Sequence, residues 1–108
     1  MEIDILTKWK ELLNSLSKRF DNDVDMQAII FMIGVQEVGK FKKNFTKDQK
    51  LDVMHVAVCK LLSTYGYYEF LGRDEDGWPH WILKEKLPAL TAFEQDRLMK
   101  EAILEYFE

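Results

Sequence analysis

The chain contains 108 residues, of which 47% are hydrophobic and 31% charged, and its formal net charge at pH 7 is −4. This composition predicts one compact globular domain over residues 1–108 and argues against a general affinity for nucleic acid or anionic membranes. The single cysteine, Cys59, excludes an internal disulfide. Because the sequence has neither a signal-peptide pattern nor an apolar run of about 20 residues, we expect a cytoplasmic protein without a membrane segment.

The N-terminal third of the chain carries two helical patterns separated by an acidic turn. Apolar side chains recur every three or four positions within residues 2–20, which predicts an amphipathic helix. Residues 21–25 include three aspartates, a residue type that favours turns and helix N-caps. We therefore expect Asp23 or Asp25 to cap the next helix.

Residues 26–38 are apolar on nearly every side, which is typical of a central, covered element. A buried strand is the alternative, since isoleucine and valine favour strands. We favour a helix because the few polar residues lie near the ends of the segment. Gly34 should then allow a neighbouring element to approach closely, and Gly39 should end the helix in a left-handed conformation.

The next helix is predicted over residues 47–64. Thr46 and Gln49 have the spacing of a capping box, which satisfies backbone N–H groups at a helix start. We expect the core face of this helix to comprise Leu51, Met54, Val58, Leu61 and Leu62, widened by Val53, Val56 and Ala57.

A β-hairpin is predicted near residues 67–83. Two short runs rich in aromatic and β-branched residues flank a turn of glycine and acidic residues at 72–77. Pro79 cannot donate a ladder hydrogen bond, so it should lie at a strand start, an edge or a bulge. A second capping box at residues 91–94 should begin a final helix. The predicted fold class is therefore mainly α, with about four helices and one small hairpin.

This order of elements, over residues 24–107, resembles that of winged helix–turn–helix domains. The resemblance implies a nucleic-acid-binding or regulatory protein, in which residues 47–64 form the recognition helix and residues 72–77 the wing tip. That helix offers mainly Asp52, His55 and Lys60, whereas base edges are read by several Arg, Lys, Asn or Gln side chains. The acidic wing tip also argues against nucleic acid, and it suits the protein-binding use of such domains better.

Asp52, His55 and Cys59 are spaced to share one stripe of the predicted helix. A histidine beside a cysteine can lower the pKa of the thiol, with an aspartate orienting the histidine. The three side chains could also contribute to a metal site, with His80 as a distant fourth ligand. The sequence contains no CxxC, HxxxH or HExxH motif of the kind that binds metals. We therefore favour the interpretation that Cys59 packs as a small hydrophobic residue. We predict no metal and no cofactor.

Two charged segments have both structural and functional interpretations. The basic patch comprises Lys40, Lys42, Lys43 and Lys47, and it could dock on an acidic partner or simply be solvated. The acidic triplet at residues 74–76 could bind a cation, but it lacks the spacing of a calcium-binding loop. A solvated turn is the favoured interpretation of the triplet.

Aromatic residues concentrate at residues 65–81, where they could form a small core under the hairpin or a recognition surface. We expect most of the rings to pack inward, although aromatic side chains are also enriched at protein interfaces. The candidate interaction surface comprises Tyr67, Arg73, Trp78, His80 and Trp81. Nothing in the sequence positively supports enzymatic activity. Our principal hypothesis is a small, non-catalytic protein–protein interaction module that uses this hairpin to bind another protein or a second copy of itself as a homodimer.

Overall fold

The computed structural model describes residues 2–39 and 45–108. Within these residues the fold is mainly α, as predicted, with four helices and one antiparallel two-stranded hairpin. The elements are α1 (Glu2–Phe20), α2 (Met26–Val38), α3 (Lys47–Ser63), β1 (Tyr68–Arg73), β2 (Pro79–Leu83) and α4 (Ala92–Tyr106). None of these helices is long and apolar enough to cross a membrane.

The elements belong to two compact units. The first comprises Met1–Ile29 together with Leu90–Glu108, and the second comprises Ile30–Ala89. That the chain behaves as a single domain stays a prediction.

In the first unit, α1 packs against α4. Trp9 and Leu16 of α1 are buried, and so are Ala102 and Ile103 of α4. The ammonium of Lys100 lies 5.8 Å from the centroid of the Trp9 ring, where the cation and the aromatic face attract each other. Part of the apolar stripe predicted for α1 is thus buried, whereas Leu6 and Phe20 of the same stripe are about half exposed.

Hydrogen bonds of the intervening turn end α1 and begin α2. Asp21 adopts a left-handed conformation with φ of 52°, and the N–H of Asn22 donates to the carbonyl of Ser17 at 3.1 Å. Asp25 Oδ1 accepts a hydrogen bond from the N–H of Ala28 at 2.8 Å. This bond makes Asp25 the N-cap of α2, one of the two residues predicted for that role.

In the second unit, α2 and α3 approach closely at Gly34. A Cβ atom at this position would lie 2.7 Å from Val53 Cγ1 and 2.9 Å from the Val53 carbonyl carbon, closer than real Cβ contacts. The prediction of a close approach at Gly34 is therefore confirmed. Gly39 follows α2 with φ of 78°, which confirms the predicted left-handed end of the helix.

The capping box of α3 is present, but the predicted core face of this helix was partly wrong. Thr46 and Gln49 exchange the two expected hydrogen bonds, at 3.1 and 2.9 Å. Leu51 is 59% exposed, whereas Val53, Val56 and other residues predicted only to widen the face are buried. Because Val53 lies against Gly34 of α2, this contact turns the Val53 side of α3 inward and leaves Leu51 outside.

The hairpin pairs β1 with β2 in an antiparallel register that contains one irregularity. Phe70 lies opposite Trp81, and Gly72 lies opposite His80, so Leu71 is an extra residue in β1. Such a β-bulge bends a strand locally and increases its twist. Pro79 begins β2 and is buried, which confirms the strand-start alternative predicted for it.

Candidate functional site

Asp74 organises the turn of the hairpin. Its Oδ1 accepts hydrogen bonds from the N–H groups of Asp76 and Trp78 at 2.9 and 3.0 Å, and its Oδ2 pairs with His80 Nε2 at 2.8 Å. These hydrogen bonds lower the pKa of the Asp74 carboxyl, and the one from His80 has a larger effect than the one from the Trp78 amide. The first member of the acidic triplet therefore has a structural role, and the carboxylate form that performs it is favoured.

Arg73 connects the hairpin to the C-terminal end of α2. Its Nη1 donates to the carbonyls of Val38 at 3.1 Å and Gly77 at 2.8 Å, and its Nη2 donates to the carbonyl of Glu37 at 2.6 Å. Carbonyl groups at a helix C-terminus lack partners within the helix and attract positive charge. The structure therefore gives Arg73, predicted as part of an interaction surface, a role in holding the hairpin in place.

Replacement of Arg73 by glutamine should lower the free energy of unfolding by about 1.5 kcal/mol, because charge-assisted hydrogen bonds to three carbonyls are lost. Lysine should retain only part of this stability, since it lacks the planar fork of donors. Urea denaturation monitored by circular dichroism measures both variants. Lys84→Gln is the matched control: it removes the exposed Lys84–Glu69 pair, 3.2 Å apart, and should change stability by at most about 0.5 kcal/mol. Equal effects of Arg73→Gln and Lys84→Gln would contradict this role.

The aromatic residues of the candidate surface are partly buried. Tyr67, Trp78 and Trp81 are all intermediate in exposure. The Trp81 ring lies 5.2 Å from the Phe70 ring, measured between centroids, and its Nε1 is buried without a hydrogen-bond partner among the described residues. These rings therefore contribute to packing while keeping part of their surface accessible.

The most exposed apolar residues of the hairpin lie outside the predicted interaction surface. Phe70, Leu71, Ile82 and Leu83 are 49, 63, 48 and 51% exposed. We call these four the apolar hairpin residues. The sequence did indicate that some apolar residues of the hairpin are exposed. Successive side chains of a strand point to opposite faces, so two consecutive apolar residues cannot both point inward. By the observed register, Phe70 and Leu83 share the face of Trp81, and Ile82 lies on the opposite face.

A cleft between α3 and the hairpin brings the stripe of Asp52, His55 and Cys59 together with residues of the candidate interaction surface. It has a volume of about 180 Å³ and is lined by Asp52, His55, Val56 and Cys59 of α3 and by residues 78–81 of the hairpin. His55 Nε2 lies 3.5 Å from Cys59 Sγ, and the His55 ring meets the Tyr68 ring edge to face at 6.5 Å between centroids. We call this feature the α3–hairpin cleft.

The geometry of the cleft favours neither a reactive thiolate nor a metal centre. Within the described part of the chain, no three His, Cys, Asp or Glu side chains are placed to hold a metal ion. Cys59 is fully buried, and burial raises the pKa of its thiol to about 11. The thiol is therefore protonated near neutral pH, as expected for a cysteine that packs as a small hydrophobic residue.

We expect Cys59 to react with iodoacetamide at pH 8 about a hundredfold more slowly in the folded protein than in urea. The reason is that the attacking species is the thiolate, whose fraction falls tenfold for each unit by which the pKa rises, and the folded chain also covers the sulfur. Mass spectrometry of timed reactions measures both rates. Similar rates in the folded and unfolded protein would show that the thiol is accessible and activated.

Of the predicted basic patch, Lys40, Lys42 and Lys43 lie outside the described residues. Lys47 is the exposed first residue of α3. A docking role for this patch stays a prediction, as does the resemblance of the element order to winged-helix domains.

Comparison with known proteins found no relative of this chain. No family model matches the chain, and neither curated proteins nor solved structures yielded a match. A function for this protein has to be inferred from the residues of the hairpin and of the α3–hairpin cleft.

Proposed function

We propose that this protein is a small, non-catalytic interaction module of the cytoplasm whose hairpin binds another protein. The observation that carries the proposal is the exposure of the four apolar hairpin residues in a short, two-stranded element. Groups of large exposed apolar side chains on a folded protein commonly mark a binding surface. Their burial against a partner would remove apolar area from water, which is the main driving force of association.

The contacts that hold the hairpin in place favour a preformed binding surface. Arg73 holds β1 to the end of α2, and Asp74 fixes the turn through three hydrogen bonds. Both strands also pack against α3. A surface ordered in advance loses less conformational entropy on binding, so more of the contact energy appears as affinity.

The sheet topology suggests how a partner could add to this surface. Within the described residues the sheet has only β1 and β2, so each strand has one edge that is not paired with another strand. Such an edge offers backbone N–H and C=O groups to an extended segment of a second protein. A second copy of this chain carries the same edges and the same apolar hairpin residues, which makes a homodimer the simplest form of the proposal.

Site-specific photo-crosslinking in the native cells tests the proposal. A photoreactive amino acid at Leu71 should yield one defined crosslinked species, either a homodimer or a complex with one other protein. Serine replacements at Leu71 and Ile82 together should abolish binding of the partner thus identified. Leu6 of α1 is a matched control position, since it is also an apolar residue about half exposed but lies in the first unit.

Light scattering over a concentration series decides whether the partner is a second copy. A mass that doubles with concentration in the wild type, and stays monomeric in Leu71→Ser/Ile82→Ser, supports the homodimer. If the protein stays monomeric and the Leu71 probe gives no more crosslinks than the Leu6 probe, the interaction function is wrong. Salt-dependent binding of duplex DNA would instead favour the winged-helix alternative.

A further inference from the structure

We propose that the α3–hairpin cleft binds a positively charged side chain of the partner, the ammonium of a lysine or the guanidinium of an arginine. This inference rests on the proposed interaction function and assigns a chemical class to one contact of that interaction. The residues that carry it are Asp52, Trp78 and Trp81, which line the cleft from both of its sides.

The composition of the cleft wall matches the chemistry of a cation. Indole rings attract cations more strongly than other aromatic side chains, and aromatic walls are a known way to recognise ammonium groups. Asp52 adds a carboxylate to the two indole rings of Trp78 and Trp81. A carboxylate beside aromatic rings offers a cation one charged and two polarisable partners, whereas an anion would be repelled by Asp52.

Asp52 is available for such a contact. It is exposed and has no ion-pair partner among residues 2–39 and 45–108. Its neighbours on the same helical face, three or four positions away, are Asp48, Gln49, His55 and Val56. Since none of these is a lysine or an arginine, the helix itself supplies no counter-charge to Asp52.

Nearby cations of the hairpin are already engaged. Arg73 donates to three backbone carbonyls, and Lys84 pairs with Glu69 at 3.2 Å. On the hairpin side, His80 is paired with the Asp74 carboxylate at 2.8 Å. Asp52 is therefore the carboxylate of the cleft wall that can pair with a positive group supplied from outside.

The size of the cleft favours a single side chain over a larger ligand. Its volume of about 180 Å³ is well below the roughly 300–1,000 Å³ of pockets that hold drug-sized molecules. The end of a lysine or arginine side chain needs much less space. Val56 and Cys59 also line the cleft, and their uncharged side chains suit the methylene groups of such a side chain.

Titration of the ¹⁵N-labelled protein with short peptides tests this inference by NMR. The probes are acetyl-Gly-Lys-Gly-amide and the matched peptides with glutamine or glutamate in place of lysine. We expect the lysine peptide to shift the indole N–H signals of Trp78 and Trp81 in a saturable manner. Trp9, which lies in the first unit, provides an internal control signal that should not move.

Variants of Asp52 and Trp78, with Asp4→Asn as the control, link the response to the cleft. Asp52→Asn should weaken binding of the lysine peptide at least about threefold, as expected for loss of one partly exposed ionic contact. Asp4→Asn removes the same charge from α1 and should leave binding unchanged. Since Asp52 is exposed, its replacement should preserve the fold, and Trp78→Leu, followed through the Trp81 signal, provides a second test of the aromatic contribution.

Three outcomes would overturn the assignment: equal shifts with all three peptides, equal binding by Asp52→Asn and Asp4→Asn, or saturable binding of Zn²⁺ alone at His55 and His80 without a response to lysine. The crosslinking experiment separates this inference from the function on which it rests. Crosslinks from Leu71 together with an unresponsive cleft would reject only the cation site. A responsive cleft without crosslinks would reject the apolar hairpin residues as the partner-binding surface.

Discussion

Replacement of Gly34 by alanine is expected to destabilise the protein by about 2 kcal/mol, even though alanine is the better helix former. The added Cβ would lie within 3 Å of the backbone and side chain of Val53, so α2 and α3 would have to separate. Because backbone atoms of a packed helix cannot rotate away as a flexible side chain can, this cost should exceed the gain of about 1 kcal/mol in helix propensity.

The effect of Gly34→Ala can be measured by thermal and urea denaturation monitored by circular dichroism. A loss of about 2 kcal/mol should lower the melting temperature by roughly 8 to 15 °C in a chain of this length. Gln36→Ala is the control, because Gln36 is exposed in the same helix and should change stability by at most about 0.5 kcal/mol. A neutral or stabilising Gly34→Ala would mean that the two helices do not approach closely at this position.

Replacement of Ile103 by alanine should cost about 3 kcal/mol, the largest effect that we expect from a single side chain in the first unit. Ile103 of α4 is completely buried, so its truncation loses apolar burial and leaves a cavity that close-packed neighbours fill only in part. The melting temperature should fall by roughly 12 to 20 °C. Leu6→Ala, at a half-exposed position of α1, should have a much smaller effect.

Gly34→Ala and Ile103→Ala together test whether the chain folds as one domain. Gly34 belongs to the second compact unit and Ile103 to the first. If the chain is one cooperative domain, both variants should shift a single transition that is the same by far-ultraviolet circular dichroism and by tryptophan fluorescence. Separate transitions, each shifted by only one of the variants, would show two folding units and contradict the prediction made from chain length.

Local signals in the sequence were sufficient to predict most of the regular elements. The capping boxes at Thr46 and Thr91 depend on side chains three residues apart, and both are present in the structure. Residues 26–38 likewise form the helix that was favoured over a buried strand because their few polar residues lie near the ends of the segment. In each case the interactions that decide the structure lie within one or two turns of the chain, so they can be read from a short stretch of sequence.

Predictions that depended on long-range contacts were less successful. Leu51 was expected in the core, but the contact between Gly34 and Val53 fixes a different face of α3. Arg73 was predicted as part of an interaction surface, and nothing in the sequence indicated that its guanidinium also bonds to carbonyls 35 and 36 residues away in the chain. Leu71, Ile82 and Leu83 were not predicted as surface residues, because their exposure depends on how the hairpin packs against α3.

For this protein, the sequence by itself determined which segments form helices and strands, because caps, turns and hydrophobic periodicity are local properties of the chain. The end of β1 was not among these, since the strand continues to Arg73 into the predicted turn. Only the tertiary structure decided which side of each element is covered, and it alone placed Asp52, His55 and Cys59 of α3 beside the tryptophans of the hairpin. The physical reason is that the burial of a side chain depends on which distant segment packs against it. The apolar pattern of a helix shows that one face can be covered, but it does not show which segment covers it.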